Sequence, residues 1–515
     1  MITPVHAFAC TAVYVGSEVS ADGTMIIAKS NDYQDVWANY VAITERVNNM
    51  PGRTMPVDND AAVLAELPAT TYRYISTPWM ESTIAANGLG KDAAVCANEY
   101  GVVMIIAVTA ASNKAALQAD PLIEHGLTET TAADLVTGQS ASAREAVDVL
   151  LSILDQYGSS EVNIAFIADR NEAWYIEMYT GHQYAAVKLP QDKVMAFGNE
   201  FLLEYVSDYE EYILSPDLES LAADNGFAVY GPSGELNLFD TYSGPEVTGD
   251  LSHMRTWIGH RILSPSVYGD YDLTAKYPLC FEPDSRVSLE DVMELIRNRY
   301  EGTEYSPDET GRTDMRVIGT DAAMSVHIAQ VYPDVPANRS VVVWESTGPA
   351  IYGVFVPVSN AALSISEPYG RSQSAEEAGI FGTVNYPYYR FKDLSTLCVG
   401  KDALPIYGQP VRSFWQKAEQ AMAQGMNSVI RNTSALSDEA AARYITDYCN
   451  MMQEQAFGDA GYLLNSVRWH MSKNSNTLKN SFDPETDKLI DKLKVIPPLV
   501  IDRDTAVYQT VPSLP

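Results

Sequence analysis

The chain has 515 residues, with 67 acidic against 34 basic side chains and a formal net charge of −33. That balance excludes nucleic acid as a partner, because phosphate binding needs clustered cations, and it opposes docking on anionic membranes. A composition of 46% hydrophobic and 20% charged residues belongs to a globular protein able to bury a large core, in two or three domains or one elaborated domain.

Residues 1–9, "MITPVHAFA", end small-x-small at Ala7-Phe8-Ala9, directly before Cys10. They lack the cationic and apolar regions of a complete signal peptide, so they read as a propeptide or the remnant of a secretory signal. The corresponding location is secreted or cell-surface if they are a signal remnant, and cytoplasmic if they are a propeptide. No apolar run reaches the roughly 18 residues of a membrane span. Residues 10–48 then hold two apolar runs joined at Asp22-Gly23, a hairpin signal. This pattern places Cys10 at the first position of the first strand. It places Lys29 to Asp32 at the far end of the returning strand, so the two ends meet.

Residues 95–110 predict a second strand pair around the turn Asn98-Glu99-Tyr100-Gly101. A helix follows near 129–136, and another over 143–157, opened by Ser142 with Glu145 three residues on and closed by Gly158. Four runs at 162–168, 173–179, 183–189 and 193–197, with short Asn-, Gly-, Pro- and Asp-containing connections, predict an antiparallel meander. Ser288 with Asp291 opens a further helix whose Leu289, Val292, Met293 and Ile296 share one face. Runs at 340–347 and 351–358 flank Gly348-Pro349 as a hairpin. From about residue 405 the pattern is helical, with one helix starting near Pro410 and another capped by Ser437 and ending at Gly458.

The sum is an α+β fold of antiparallel sheets with helices grouped between and after them. The organisation expected is residues 1–9 as the removable segment, 10–360 as the catalytic domain, and 361–515 as a mainly helical extension packed on it.

Dinucleotide, Walker, zincin and nucleophile-elbow motifs do not occur. The seven histidines, His260 and His327 among them, do not cluster at ligand spacing and read as structural, so neither a metal nor a cofactor is expected. The five cysteines show no C-x-x-C spacing; Cys96 reads as a buried small hydrophobe, and disulfides among Cys280, Cys398 and Cys449 stay open. Cys10 stands apart. A cysteine nucleophile needs a base, and no histidine is placed in sequence to serve. If the chain begins at Cys10, its own α-amine, with a pKa of about 7.7–8.0, sits on the same residue as the thiol. The alternative is a thiol that is merely buried.

Several segments in order resemble the N-terminal-nucleophile cysteine dipeptidases, the dipeptidase A-like family. That family lies within the superfamily of penicillin V acylases and conjugated bile acid hydrolases. The matching pieces are "CTAVYVGSEVSADGTMIIAKSNDY", "TYRYISTPWM", "ANEYGVVM", "NEAWYIEMYTGHQYAAVKLPQDKVMAFGNEF", "MRTWIGHRILSPS" and "SVHIAQVYPDVPANRSVVVWESTGPAIYGVFVPV", spanning about residues 10 to 360.

The resemblance implies a four-layer αββα N-terminal-nucleophile hydrolase, formed by autoprocessing or signal cleavage. It would hydrolyse small dipeptides through a thioester on Cys10, with no cofactor and no metal. Cys10 is then the nucleophile, Asp32 the acid beside its amine, Asn199 the oxyanion donor, and Arg255 the arginine near the thiol. Lys29 stands where relatives more often carry Arg. Lys29, Asn98 and Thr109 are implied on the substrate side. The bile acid hydrolase branch has an Asn where this strand ends "AVTA", a departure that favours the dipeptidase branch.

Taken singly, each residue has a plainer reading. Asn98 and Gly101 build a turn, Lys29 and Asp32 form a strand-end pair, Asn199 caps a loop, and Arg255 makes a structural ion pair. Two rival functions stay open: an N-acyl amide hydrolase of the same mechanism, and a secreted binding protein that keeps the fold without the chemistry. A second copy of the chain is left open as a partner.

Overall fold

The structure, a computed structural model, describes residues 10–514 apart from 33–37, 81, 83–87, 89, 107–109, 245–249, 313, 373–378, 380–382, 475–481, 484–487 and 490–495. Two antiparallel sheets form its centre. The strands of the first half are β1 (Ala12–Val15), β2 (Met25–Asp32), β3 (Ala42–Thr44), β4 (Tyr74–Pro78), β5 (Ala93–Asn98) and β6 (Val103–Ile106). After these come β7 (Asn163–Ala168), β8 (Ala173–Met178), β9 (Tyr184–Lys188), β10 (Val194–Phe197) and β11 (Tyr212–Leu214). The last three are β12 (Ala323–Val331), β13 (Val341–Ser346) and β14 (Val356–Ser359). The six-stranded sheet runs β10-β1-β2-β12-β13-β14 and the eight-stranded sheet β11-β9-β8-β7-β6-β5-β4-β3.

Strand periodicity sorts the side chains into layers. In the eight-stranded sheet Val103, Ile105, Phe166 and Tyr175 face the other sheet and share its core. Met104, Ile106, Ile167, Trp174 and Ile176 alternate with them on the outer face. Helices α1 (Glu129–Thr137) and α2 (Ala143–Tyr157) cover that face with Leu135, Val136, Val147, Leu150 and Leu154. Each of these larger aliphatics contributes about 1.5–3 kcal/mol by burial. Helices α3 (Asp250–Leu263) and α4 (Leu289–Ile296) pack on the six-stranded sheet, α3 against β10 and α4 against β2. The result is four layers in the order αββα, as the resemblance implied.

The caps at Ser142 and Ser288 form as the sequence predicts; Ser288 and Asp291 make a reciprocal capping box. Three expectations need correction. First, only three of the four runs predicted as a meander pair in succession. β7, β8 and β9 pair in succession, but β11 takes the free edge of β9, and β10 crosses to the other sheet to pair with β1. Second, β13 and β14 are joined by a nine-residue loop, 347–355, rather than a tight turn. That loop offers the Ala350 and Gly353 carbonyls to the Arg297 guanidinium, which holds it out of strand geometry. Third, the last helix does not end at Gly458.

Helices α5 (Pro387–Cys398), α6 (Gln409–Asn432) and α7 (Asp438–Lys473) pack together and against β14. α7 runs 36 residues through Gly458. Arg390 donates to the Phe457 carbonyl, and a Cβ at Gly461 would sit 2.9 Å from its guanidinium, so tertiary contact outweighs the local cost of glycine. All five cysteines are free, and Cys96 is buried as expected.

Candidate active site

The geometry around Cys10 follows from the position of β1 between two neighbours. On one side Ala12 pairs with Lys29 of β2, and the Thr11 and Ser30 main chains continue the ladder, Ser30 N–H donating to the Thr11 carbonyl at 3.0 Å. The Thr11 N–H also donates to Ser30 Oγ at 3.1 Å. On the other side Ala12 pairs with Phe197, so Gly198 and Asn199 emerge beside Thr11 and Cys10. Two segments far apart in sequence therefore flank the same cysteine.

Helix α3 closes the site from outside the sheet. Arg255, buried on this helix, donates from Nη1 to the Cys10 carbonyl at 2.5 Å and to Thr11 Oγ1 at 3.1 Å. Its Nη2 donates to Asn199 Oδ1 at 2.9 Å, and its Nε to the Leu251 carbonyl at 2.9 Å. The approach requires glycine at 198: a Cβ there would lie 2.7 Å from the Ser252 carbonyl oxygen and 3.2 Å from the Arg255 guanidinium. With its oxygen held by Arg255, the Asn199 amide turns its N–H donors away from the guanidinium.

The segment after Asn199 is anchored by Glu177 of β8. This fully buried carboxylate accepts from Tyr175 Oη at 2.6 Å, Tyr179 Oη at 2.8 Å, Leu202 N–H at 3.0 Å and Leu203 N–H at 3.2 Å. An acid inside the apolar run "AWYIEMY" was the available sequence signal for it.

Asp32 is 1% exposed, and neither carboxylate oxygen has a hydrogen-bond partner among the described residues. Burial pushes its pKa up to about 7, opposed first by Arg316 and then by Arg255. Burial also pushes the Cys10 thiol up to about 12; Lys29 opposes this, while Glu129 and Asp32 add to it. The thiol is thus protonated at neutral pH and needs a base at the moment of attack.

Lys29 does not pair with Asp32. Its Nζ donates to the Ile106 carbonyl at 2.5 Å and lies 3.6 Å from Glu129 Oε1 at the start of α1, a partner on another layer that spacing gave no means of finding. Asn98, implied on the substrate side, has the turn role instead. Its Nδ2 donates to the Thr137 and Ser140 carbonyls, and its Oδ1 accepts from the Tyr100 and Val102 N–H groups, so its amide is fully engaged. Thr109 and residues 1–9 lie outside the described residues.

His327 is fully buried, with Nδ1 2.5 Å from Glu345 Oε2 and Nε2 3.1 Å from both Asn31 Nδ2 and Ser325 Oγ. That is the satisfied structural histidine the sequence suggested. Among the described residues one trio, Asp58, Asp60 and His125, brings its ligand atoms within 4.8 Å of one another. There Asp58 Oδ2 is already engaged by His125 Nδ1 at 2.9 Å. No helix of the described residues is long and apolar enough to cross a membrane.

The model of peptidase family C69 matches residues 9–397. Among curated proteins the chain is 29% identical over 397 residues to a probable dipeptidase B of Streptococcus pyogenes serotype M1, covering 74% of this chain and 78% of that one. It is 30% identical over 364 residues to a probable dipeptidase B of Lactococcus lactis subsp. lactis, covering 68% and 74%. Among solved structures, a variant of conjugated bile acid hydrolase from Clostridium perfringens aligns over 66% of this chain and 89% of its own. Its identity is 11% and its TM-score 0.30, too low to carry an argument.

Proposed function

The chain belongs to peptidase family C69, and from that premise we propose that it is a dipeptidase using Cys10 as an N-terminal nucleophile. The observation that carries this reading is the convergence of Arg255, Asn199 and the unpartnered Asp32 carboxylate on Cys10. The names of the relatives, probable dipeptidases, support the substrate class.

On this reading the chain is cut between Ala9 and Cys10. The freed α-amine, with a pKa of about 7.7–8.0, becomes the base. Asp32, the buried acid beside it, accepts an N–H from the amine and favours its protonated form once it has taken the thiol proton. The sulfur attacks the scissile carbonyl carbon, and the carbonyl π electrons move to oxygen. Asn199 Nδ2 donates to that developing oxyanion, a contact worth most where water is excluded. Collapse of the intermediate breaks the C–N bond; the ammonium returns its proton to the leaving amine, and a thioester remains on Cys10. Water, deprotonated by the same amine, then attacks the thioester, releasing the second amino acid and restoring the thiol.

The test is the intact mass of purified, active protein together with dipeptide hydrolysis by Cys10→Ala. The expected result is a chain starting at Cys10 and no turnover by a folded variant. Full activity in a chain that still begins at Met1 would sink the free-amine base; turnover by Cys10→Ala would sink the nucleophile.

A further inference from the structure

Arg316 lies in a stretch of chain whose other arginines are engaged by carboxylates: Arg297 with Glu419, Arg299 with Asp308 at 2.7 Å, and Arg312 with Asp314 at 2.8 Å. The half-buried Arg316 guanidinium has no ion pair or hydrogen bond among the described residues.

Its backbone is held at the site. Tyr300 Oη donates to the Arg316 carbonyl at 2.7 Å, and the Tyr300 ring stacks on Trp257, two residues beyond Arg255 on α3. Tyr300 does this with φ at +59°, a conformation that costs an aromatic residue and that packing must enforce. Downstream, Ala323 pairs with Asp32 itself, which brings the 316–323 segment across the end of β2. Consistent with this placement, Arg316 is the charged neighbour that most favours ionised Asp32, and it also acts on Arg255.

We propose that Arg316 is the specificity-determining residue for the substrate's free C-terminal carboxylate, docking it on the leaving-group side of the bond that Cys10 attacks. This rests on the dipeptidase reading above. The chemistry fits: a guanidinium offers two parallel N–H donors that match a carboxylate, and a partly desolvated one strongly favours an anion over a neutral group. In a dipeptide the carboxylate is only one residue from the scissile carbonyl, so a long side chain rooted on the segment that crosses the Asp32 end of β2 is suitably placed. Recognition at Arg316 would also reject peptides whose next residue is amide-linked.

The experiment compares steady-state hydrolysis of a panel of dipeptides and their C-terminal amides by wild type, Arg316→Gln and Arg316→Lys, with melting curves for each. Wild type is expected to prefer the free acids. Arg316→Gln should lower kcat/KM on the acids by about 10²-fold, mostly through KM, with a loss on the amides at least about tenfold smaller. Arg316→Lys, which keeps the charge without the fork, should fall between the two and covers the case in which the Gln variant does not fold. An equal loss on acids and amides would mean that Arg316 acts only through Asp32, and would overturn the proposal, as would no loss on either. Wild type that cleaves neither acids nor amides would overturn the dipeptidase reading itself.

Discussion

Arg255 holds Asn199 by its oxygen, Nη2 donating to Oδ1 at 2.9 Å, and so decides which way the amide donors face. The same guanidinium grips the Cys10 carbonyl, which makes it the ruler between nucleophile and oxyanion donor. Asn199→Asp is isosteric and keeps the acceptor for Arg255, while replacing the N–H donors with a carboxylate oxygen that repels a developing oxyanion. It should lower kcat by about 10²–10³-fold with the melting temperature retained. Arg255→Lys loses the fork and should lower kcat as well, and the double variant should lose less than the sum of the singles, since both act on one contact. Additive losses would separate the two roles, and an unchanged kcat in Asn199→Asp would remove Asn199 from the mechanism.

Asp32 illustrates a site held at a cost in stability. Its folded pKa, raised from an ordinary 3.8 to about 7 by burial, means that the folded state binds more protons than the unfolded state between those values. Stability from this residue therefore falls as pH rises through the window from about 4 to about 7. Asp32→Asn should melt higher than wild type above about pH 7, show no advantage below about pH 4, and lose hydrolysis by at least about 10²-fold. A variant that melts lower at neutral pH would contradict the unpartnered burial of this carboxylate.

Glu177 separates two ways of losing a charge. Burial pushes its pKa up to about 7 despite four donors, Tyr175 foremost. Glu177→Gln keeps an acceptor for Tyr175, Leu202 and Leu203 and can donate to Tyr179, so it should change stability by less than about 1 kcal/mol. Glu177→Leu orphans the Leu202 and Leu203 N–H groups and should cost about 2–4 kcal/mol in chemical denaturation, with a fall in kcat as the Asn199 segment loosens. Equal costs for the two variants would rule out a hydrogen-bonding role.

The C-terminal helices are fastened by a buried ion pair. Arg297, at the end of α4, makes two hydrogen bonds to Glu419 of α6, at 2.8 and 2.5 Å, and Glu419 also accepts from the Phe355 N–H at 2.8 Å. Removing one partner leaves the other charge buried. Glu419→Ala should therefore cost about 3–5 kcal/mol of unfolding free energy. A cost below about 1 kcal/mol would show that the helices dock by apolar contact alone.

What was legible in the sequence is local. Asp22-Gly23 sets a hairpin, and hairpin register alone brings Cys10 to the end of β2 where Lys29 and Asp32 lie. Ser142, Ser288 and Ser437 announce their helices because each cap bond is made within one turn. The Cys10, Asp32, Asn199 and Arg255 grouping comes from the resemblance; in the structure Arg255 donates to both the Cys10 carbonyl and Asn199 Oδ1.

What the tertiary structure alone decided depends on which edges and faces remain vacant after packing. β10 reads like one more meander strand, yet it changes sheets because β11 occupies the edge of β9; only that exchange sets Asn199 beside Cys10. Gly458 reads like a stop, yet α7 continues because it is packed against α5. Lys29 finds Glu129 on another layer, and the segment carrying Arg316 reaches Asp32 through pairing of β12 with β2, neither of which local spacing encodes. A strand's pairing partner and a buried charge's neighbour are set by competition across the whole core, and no window of sequence contains the competitors.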